Sequence, residues 1–194
     1  MATVNQVGLG LSGSTGTGSF VGSTSPTLVT PTLGIASATS ITFSSTTGII
    51  GTTTNNSAPV GSVGSLVSSI ISSPGSSITN NTNTNITSLI SLPAGDWDVW
   101  GNVGFAFAAT TSTTFMAGWT SITSATRPDA SLYANYNFLG AGGAIVPAGN
   151  TINIKVPTGR YRLAAPTTIY LSSYILFTVS TVTTYGAIYA REAR

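Results

Sequence analysis

From residue 96 onward, apolar and polar positions alternate with a period of two, the spacing of a strand that buries one face. Trp97, Val99, Val103, Phe105 and Phe107 fall on one side, and Asp96, Asp98 and Asn102 on the other. Ile152, Ile154 and Val156 alternate in the same way with Asn153 and Lys155. In the segment after Thr168, Ile169, Leu171, Ile175, Phe177 and Val179 share one side, while Tyr170, Tyr174 and Leu176 share the other. A strand apolar on both sides is expected at the centre of a sheet, or between a core and a neighbouring subunit. Earlier, Ile86–Leu92 reads as a strand, and residues 63–71 suit either a strand or one short helix, because periodicity does not separate the two. Pro74-Gly75 predicts a turn and residues 80–85 a polar loop. No amphipathic helix of 12 residues is visible. Short strands between Gly, Pro and Asn turns predict an all-β chain, with residues 58–194 forming a jelly-roll-like antiparallel β-sandwich.

Residues 1–57 have a different texture. Their apolar residues come in ones and twos, among them Phe20, Val21, Leu28, Val29, Leu33, Ile41 and Phe43, separated by small residues and prolines. Proline, glycine and threonine disfavour helix, so extended backbone with turns is expected. Spacing this sparse does not close a core within one chain, but it can close one between chains. Two readings stand: a flexible linker, or an extended arm or stalk that lays those seven residues on a partner. The apolar residues favour the arm, since a linker has no use for them. Fully extended at about 3.3 Å per residue, residues 7–48 would span roughly 140 Å.

Charge sharpens the division. Only 5% of the 194 residues are charged, against roughly 25% in an ordinary globular protein. Every charged side chain lies at or after Asp96, so the first 95 residues carry none. Disordered tails are generally solubilised by charge, and an uncharged Ser/Thr/Gly tract lacks that protection against self-association. With no cysteine and no histidine, disulfides, thiolate metal sites and the usual general base are excluded, and no cofactor is expected. A net charge of +2 is too thin for a nucleic-acid footprint. No run of 18 apolar residues predicts a membrane helix, and residues 1–11 lack the pattern of a secretory signal. Synthesis in a cytosol, and solubility there until assembly, is the expectation.

Candidate chemistry is sparse. Asp96 and Asp98 form a D-x-D pair whose carboxylates would lie about 6–7 Å apart on one face of a strand. Such a pair could hold a divalent cation or act on sugars, but two solvent-facing carboxylates at a strand start are the favoured reading. The abundant serines have no base to activate them. Gly8–Gly10 and Gly13–Gly18 lack the lysine of a phosphate loop, and the sequons at Asn55, Asn80 and Asn85 follow from composition. A non-enzymatic protein is expected; an enzyme degrading polysaccharide would need carboxylates clustered in a groove. Trp100, Trp119, Tyr133 and Tyr136 are candidate surface or receptor contacts, because exposed aromatics stack on sugar rings or anchor interfaces. Packing within or between subunits is the favoured account of them.

Three segments carry a family resemblance. Gly16–Val21 continued by Ser25–Gly34 resembles a segment common in tail fibres and related virion proteins of tailed bacteriophages. Leu92–Val99 followed by Gly101–Val103 resembles a strand pair of their C-terminal β-domains, and Phe177–Thr181, Tyr185-Gly186 and Ala190-Arg191 match the style of their endings. The resemblance implies a homotrimer whose extended N-terminal part attaches to other virion proteins, either a tail or portal-adaptor protein or the major capsid protein. It implies a compact C-terminal head that contacts a host surface glycan in some members, location in the virion after synthesis in the bacterial cytoplasm, and no catalytic residues. Host-contacting fibres are usually several times longer, so a capsid decoration (cement) protein is the alternative.

Overall fold

The computed structural model describes residues 58–59, 62–128, 136–145 and 149–193, with backbone placement alone for 136–145 and Ile90. The seven arm residues from Phe20 to Phe43, and the whole of 1–57, lie outside the described residues. The strands are β1 (Leu66–Ser77), β2 (Thr84–Leu92), β3 (Gly95–Phe107), β4 (Ser112–Ser121), β5 (Tyr136–Ile145), β6 (Thr151–Leu163), β7 (Thr167–Thr178) and β8 (Val182–Glu192). No helix occurs among the described residues, and that part of the chain is all-β.

The strands form two four-stranded sheets, ordered β1-β8-β3-β6 and β2-β7-β4-β5, and every pairing is antiparallel. Only β4 and β5 are neighbours in both sequence and space; every other connection carries the chain from one sheet to the other. The alternation of β3 sets which of its faces turns to the core. Its inward residues Trp97, Val99, Val103 and Phe105 are fully buried. They join Ile154 and Val156 of β6 and Ile188 of β8 on the first sheet, and Met116, Ile169, Leu171 and Ile175 on the second, in one core. Burying side chains of this size contributes about 1.5–3 kcal/mol each. Trp97 keeps its polar end satisfied, donating from Nε1 to the Pro93 carbonyl at 3.0 Å.

The doubly apolar strand is β7, and it is central in the second sheet, between β2 and β4. The polar loop before β2 is held on it: Asn80 Oδ1 accepts from the Phe177 backbone N–H at 2.9 Å, and Asn81 Oδ1 from the Tyr174 hydroxyl. Residues 66–71 of the ambiguous segment are strand.

Two expectations are corrected. Pro74-Gly75 is not a turn between elements but an irregularity inside β1, where the register to β8 shifts between Ile71 and Ser76. Gly75 has φ +72°, and a Cβ there would lie 2.0 Å from the Thr184 carbonyl oxygen. A bulge in an edge strand uses the same residues as a turn, so local sequence does not distinguish them. Val179 does not continue the inward face of β7. The strand ends at Thr178, and Val179 and Ser180 take φ of +60° and +66° in the turn to β8. Val179 is left 69% exposed. β-Branched valine rarely adopts a left-handed backbone, and the turn leads from one sheet to the other rather than between paired strands, so no hairpin pattern marks it in the sequence.

Candidate functional site

The outward face of the first sheet gathers most of the described charged residues and its open aromatics. Cross-strand register sets its rows: Leu66, Arg191, Asp98 and Arg160 in one, then Ser68, Tyr189 and Trp100, then Ile70, Ala187, Asn102 and Lys155. The face is therefore aliphatic along β1, aromatic in the middle and ionic at one end. Leu66 and Ile70 are exposed.

At the ionic end, Arg160 binds Asp96 through both carboxylate oxygens, Nε to Oδ1 and Nη2 to Oδ2, the latter at 2.9 Å. Its Nη1 donates to Asp98 Oδ1 at 3.1 Å, and Arg191 Nη2 lies 3.8 Å from Asp98 Oδ2. The hydrogen bond to Asp96 is the largest cause raising the Arg160 pKa above its ordinary value, so the guanidinium stays charged. This corrects the picture of two solvent-facing carboxylates. Asp96 is buried, and both acids are engaged by arginines from neighbouring strands. Planar guanidinium matches carboxylate geometry in a way that sequence spacing alone does not reveal, because β6 lies some 60 residues away. No group of three His, Cys, Asp or Glu side chains able to hold a metal occurs among the described residues.

Trp100 is half-buried and stacks on Tyr189, its directly opposed neighbour, with ring centroids 5.7 Å apart and planes 17° from parallel. Tyr185 lies over Gly104, where a Cβ would come within 2.2 Å of the ring, and its hydroxyl donates to Asn153 Oδ1 at 3.3 Å. Opposite Trp100, β6 carries one extra residue, since Val99 pairs with Gly159 but Gly101 with Val156. Beside this bulge is a shallow hollow of about 490 Å³ lined by Asp98, Trp100, Asn102, Lys155, Thr158 and Arg191.

The other candidate aromatics are elsewhere. Trp119 is fully buried on β4, which removes it from the surface contacts. Its Nε1 donates to the Thr126 carbonyl at 2.9 Å, and the Arg127 guanidinium sits 5.4 Å from its ring, 5.6 Å from Phe115 and 5.1 Å from Tyr174. Asn85 ties the covering loop down: Nδ2 donates to Ser124 Oγ at 2.7 Å, and Oδ1 accepts from Ala125 N–H and Ser172 Oγ–H. Tyr136 is described only as a backbone position, paired with Trp119, and Tyr133 lies outside the described residues. Of the two candidates whose side chains are described, Trp100 lies on an open face and Trp119 does not. Sequence reading passed over Tyr189 and Asn85. The first was legible, since Tyr185 and Tyr189 alternate against Ile188 and Ala190; the second was masked by its sequon.

No family model matches the chain, and no curated protein matches it.

Proposed function

We propose that this chain is a non-enzymatic structural subunit of a bacteriophage virion, a short appendage of tail-fibre type assembled as a homotrimer. Residues 1–57 are its attachment arm, and residues 58–194 its head. The strand order is the observation that carries the reading. Eight antiparallel strands ordered 1-8-3-6 and 2-7-4-5 fit two Greek keys wound as a jelly roll, an architecture that viral capsid proteins use. The charge-free first 95 residues add to it, because hydroxyl- and amide-rich backbone can pair with neighbouring copies without like-charge repulsion. The engagement of Asp96 and Asp98 by arginines argues against a pair of catalytic carboxylates, which need a groove between them for substrate.

Sedimentation equilibrium of the full chain tests the assembly. A mass three times 19.6 kDa is expected at micromolar concentration, and a monodisperse monomer overturns the trimer. A second reading, a capsid decoration protein, rests on the same uncharged arm laid across joints between capsid subunits. Copy number per particle separates them: tens or fewer for the appendage, hundreds for decoration.

A further inference from the structure

We infer that Ser65 and Glu192, which face each other at one end of the sandwich, hold a calcium ion. The chain enters β1 through a turn in which the Ser65 N–H donates to the Ser62 carbonyl at 2.8 Å, with Gly64 at φ +86°. The Gly64 N–H then donates to the Glu192 carbonyl, and the Glu192 N–H to the Ser65 carbonyl, each at 3.0 Å. Two residues thus oppose one, in a bulge whose first position takes the left-handed backbone that glycine adopts freely. The bulge carries the β1–β8 ladder one step past the pair Leu66 and Arg191. It sets Ser65 beside Glu192, and the register of β3 with β8 sets Trp97 on the other side of Glu192.

This row buries polar atoms that the chain leaves unpaired. Ser65 is 0% exposed and Glu192 8%, and Ser65 Oγ and Glu192 Oε2 are both buried without a hydrogen-bond partner. No described lysine or arginine pairs with Glu192; the ion pairs of this sheet serve Asp96 and Asp98. A buried carboxylate is ordinarily paired with a cation or bound to a metal. Both unpaired atoms are hard oxygen donors, the kind calcium takes at about 2.3–2.6 Å, and backbone carbonyls and water can fill its other positions. Magnesium holds strictly to octahedral geometry and gives up water reluctantly, and zinc sites are built on sulfur and nitrogen. Gly95 keeps the front of the carboxylate open, since a Cβ there would lie 3.3 Å from Glu192 Oε1 and 3.1 Å from Trp97 Nε1. The carboxylate and the indole edge therefore flank one point. An ion at this place ties the residue before β1 to the last residue of β8.

The inference goes beyond the virion reading and is tested separately from it, since an ion in this row requires neither a trimer nor a particle. The full-length protein is stripped of ions with a chelator, desalted and titrated with Tb3+, whose luminescence is sensitised through the neighbouring Trp97. Ca2+ is then added to displace it. Saturation by Tb3+ and displacement by Ca2+ with a Kd of roughly 0.1–1 mM are expected. Ca2+ at about 10 mM should raise the thermal midpoint by about 3–6 °C, and Mg2+ at the same concentration by much less. Glu192→Gln removes the charge at nearly constant size and should weaken Ca2+ binding by at least about tenfold. Without ions this variant should unfold no lower than the wild type, because it exchanges an unpaired buried charge for a neutral amide. Ser65→Ala should weaken Ca2+ binding severalfold.

A wild-type midpoint that Ca2+ does not move at about 20 mM overturns the proposal, and a water between the two oxygens then accounts for them. Tb3+ luminescence and Ca2+ stabilisation that persist unchanged in Glu192→Gln also overturn it, and place the ion elsewhere. Should Glu192→Gln fail to fold, Ser65→Ala decides, and a Ca2+ affinity equal to that of the wild type refutes the paired site. None of these outcomes bears on the trimer, which sedimentation reads independently.

Discussion

Arg160 on β6 closes on Asp96 of β3 with two parallel hydrogen bonds, although the residue directly opposite Asp96 is Arg162. The diagonal choice lets Arg160 reach Asp98 as well. The two partners are unequally placed: the Asp96 side chain is 8% exposed and that of Arg160 43%. Removing the arginine takes two hydrogen bonds from a buried carboxylate, whereas removing the carboxylate leaves a guanidinium that water can reach. Arg160→Ala is therefore expected to lower the thermal midpoint more than Asp96→Asn, as measured by circular dichroism. The contact of Arg191 with Asp98, at 3.8 Å and exposed, should add nothing measurable when Arg191 is replaced by Ala.

Close packing between the sheets is tested at Gly118. A Cβ on this β4 residue would lie 2.7 Å from Val103 Cγ2 on β3 and 3.3 Å from Val156 Cγ2. Gly118→Ala should cost about 1–3 kcal/mol as an overpacked core. Val103→Ala alone costs a similar amount by leaving a cavity. The double variant should be more stable than the sum predicts by about 0.5 kcal/mol or more, because the two residues share one space. Additivity in urea unfolding would show that the sheets separate rather than resist.

Asn85 carries a third expectation. Its amide holds Ser124, Ala125 and Ser172 together, so Asn85→Ala should cost about 1–3 kcal/mol through groups left unpaired. The loop over Trp119 should loosen first. Hydrogen exchange at residues 123–126 and acrylamide quenching of Trp119 should both rise before global unfolding. The variant Thr87→Ala, which removes the sequon and keeps the amide, should leave both readings close to wild type; its hydroxyl is bonded to Ser69 and not to the loop.

What the sequence disclosed, and what it concealed, follows the physics. Period-two alternation exposed β3, β6 and β7 because each turns one apolar face to the core, as at Val99, Ile154 and Leu171. The central place of β7 was legible from tyrosines opposite isoleucines. Pro74-Gly75 misled because a bulge and a turn demand the same backbone, and Val179-Ser180 because strain from tertiary closure overrides residue preference. Of the candidate site, Trp100 was visible by being out of phase with the core. Trp119 has the same phase relative to its own strand, and only the loop pinned by Asn85 decides that it is buried. Arg160 and Tyr189 join the site through strand order, which local pattern does not encode.

The central claim is that the chain is a virion component, and quantitative mass spectrometry of purified phage particles, combined with particle imaging, tests it most directly. The account predicts that the chain co-purifies with intact particles in a copy number that is a multiple of three, tens or fewer, at the tail vertex. Particles that are intact and infectious but do not contain the chain would contradict it.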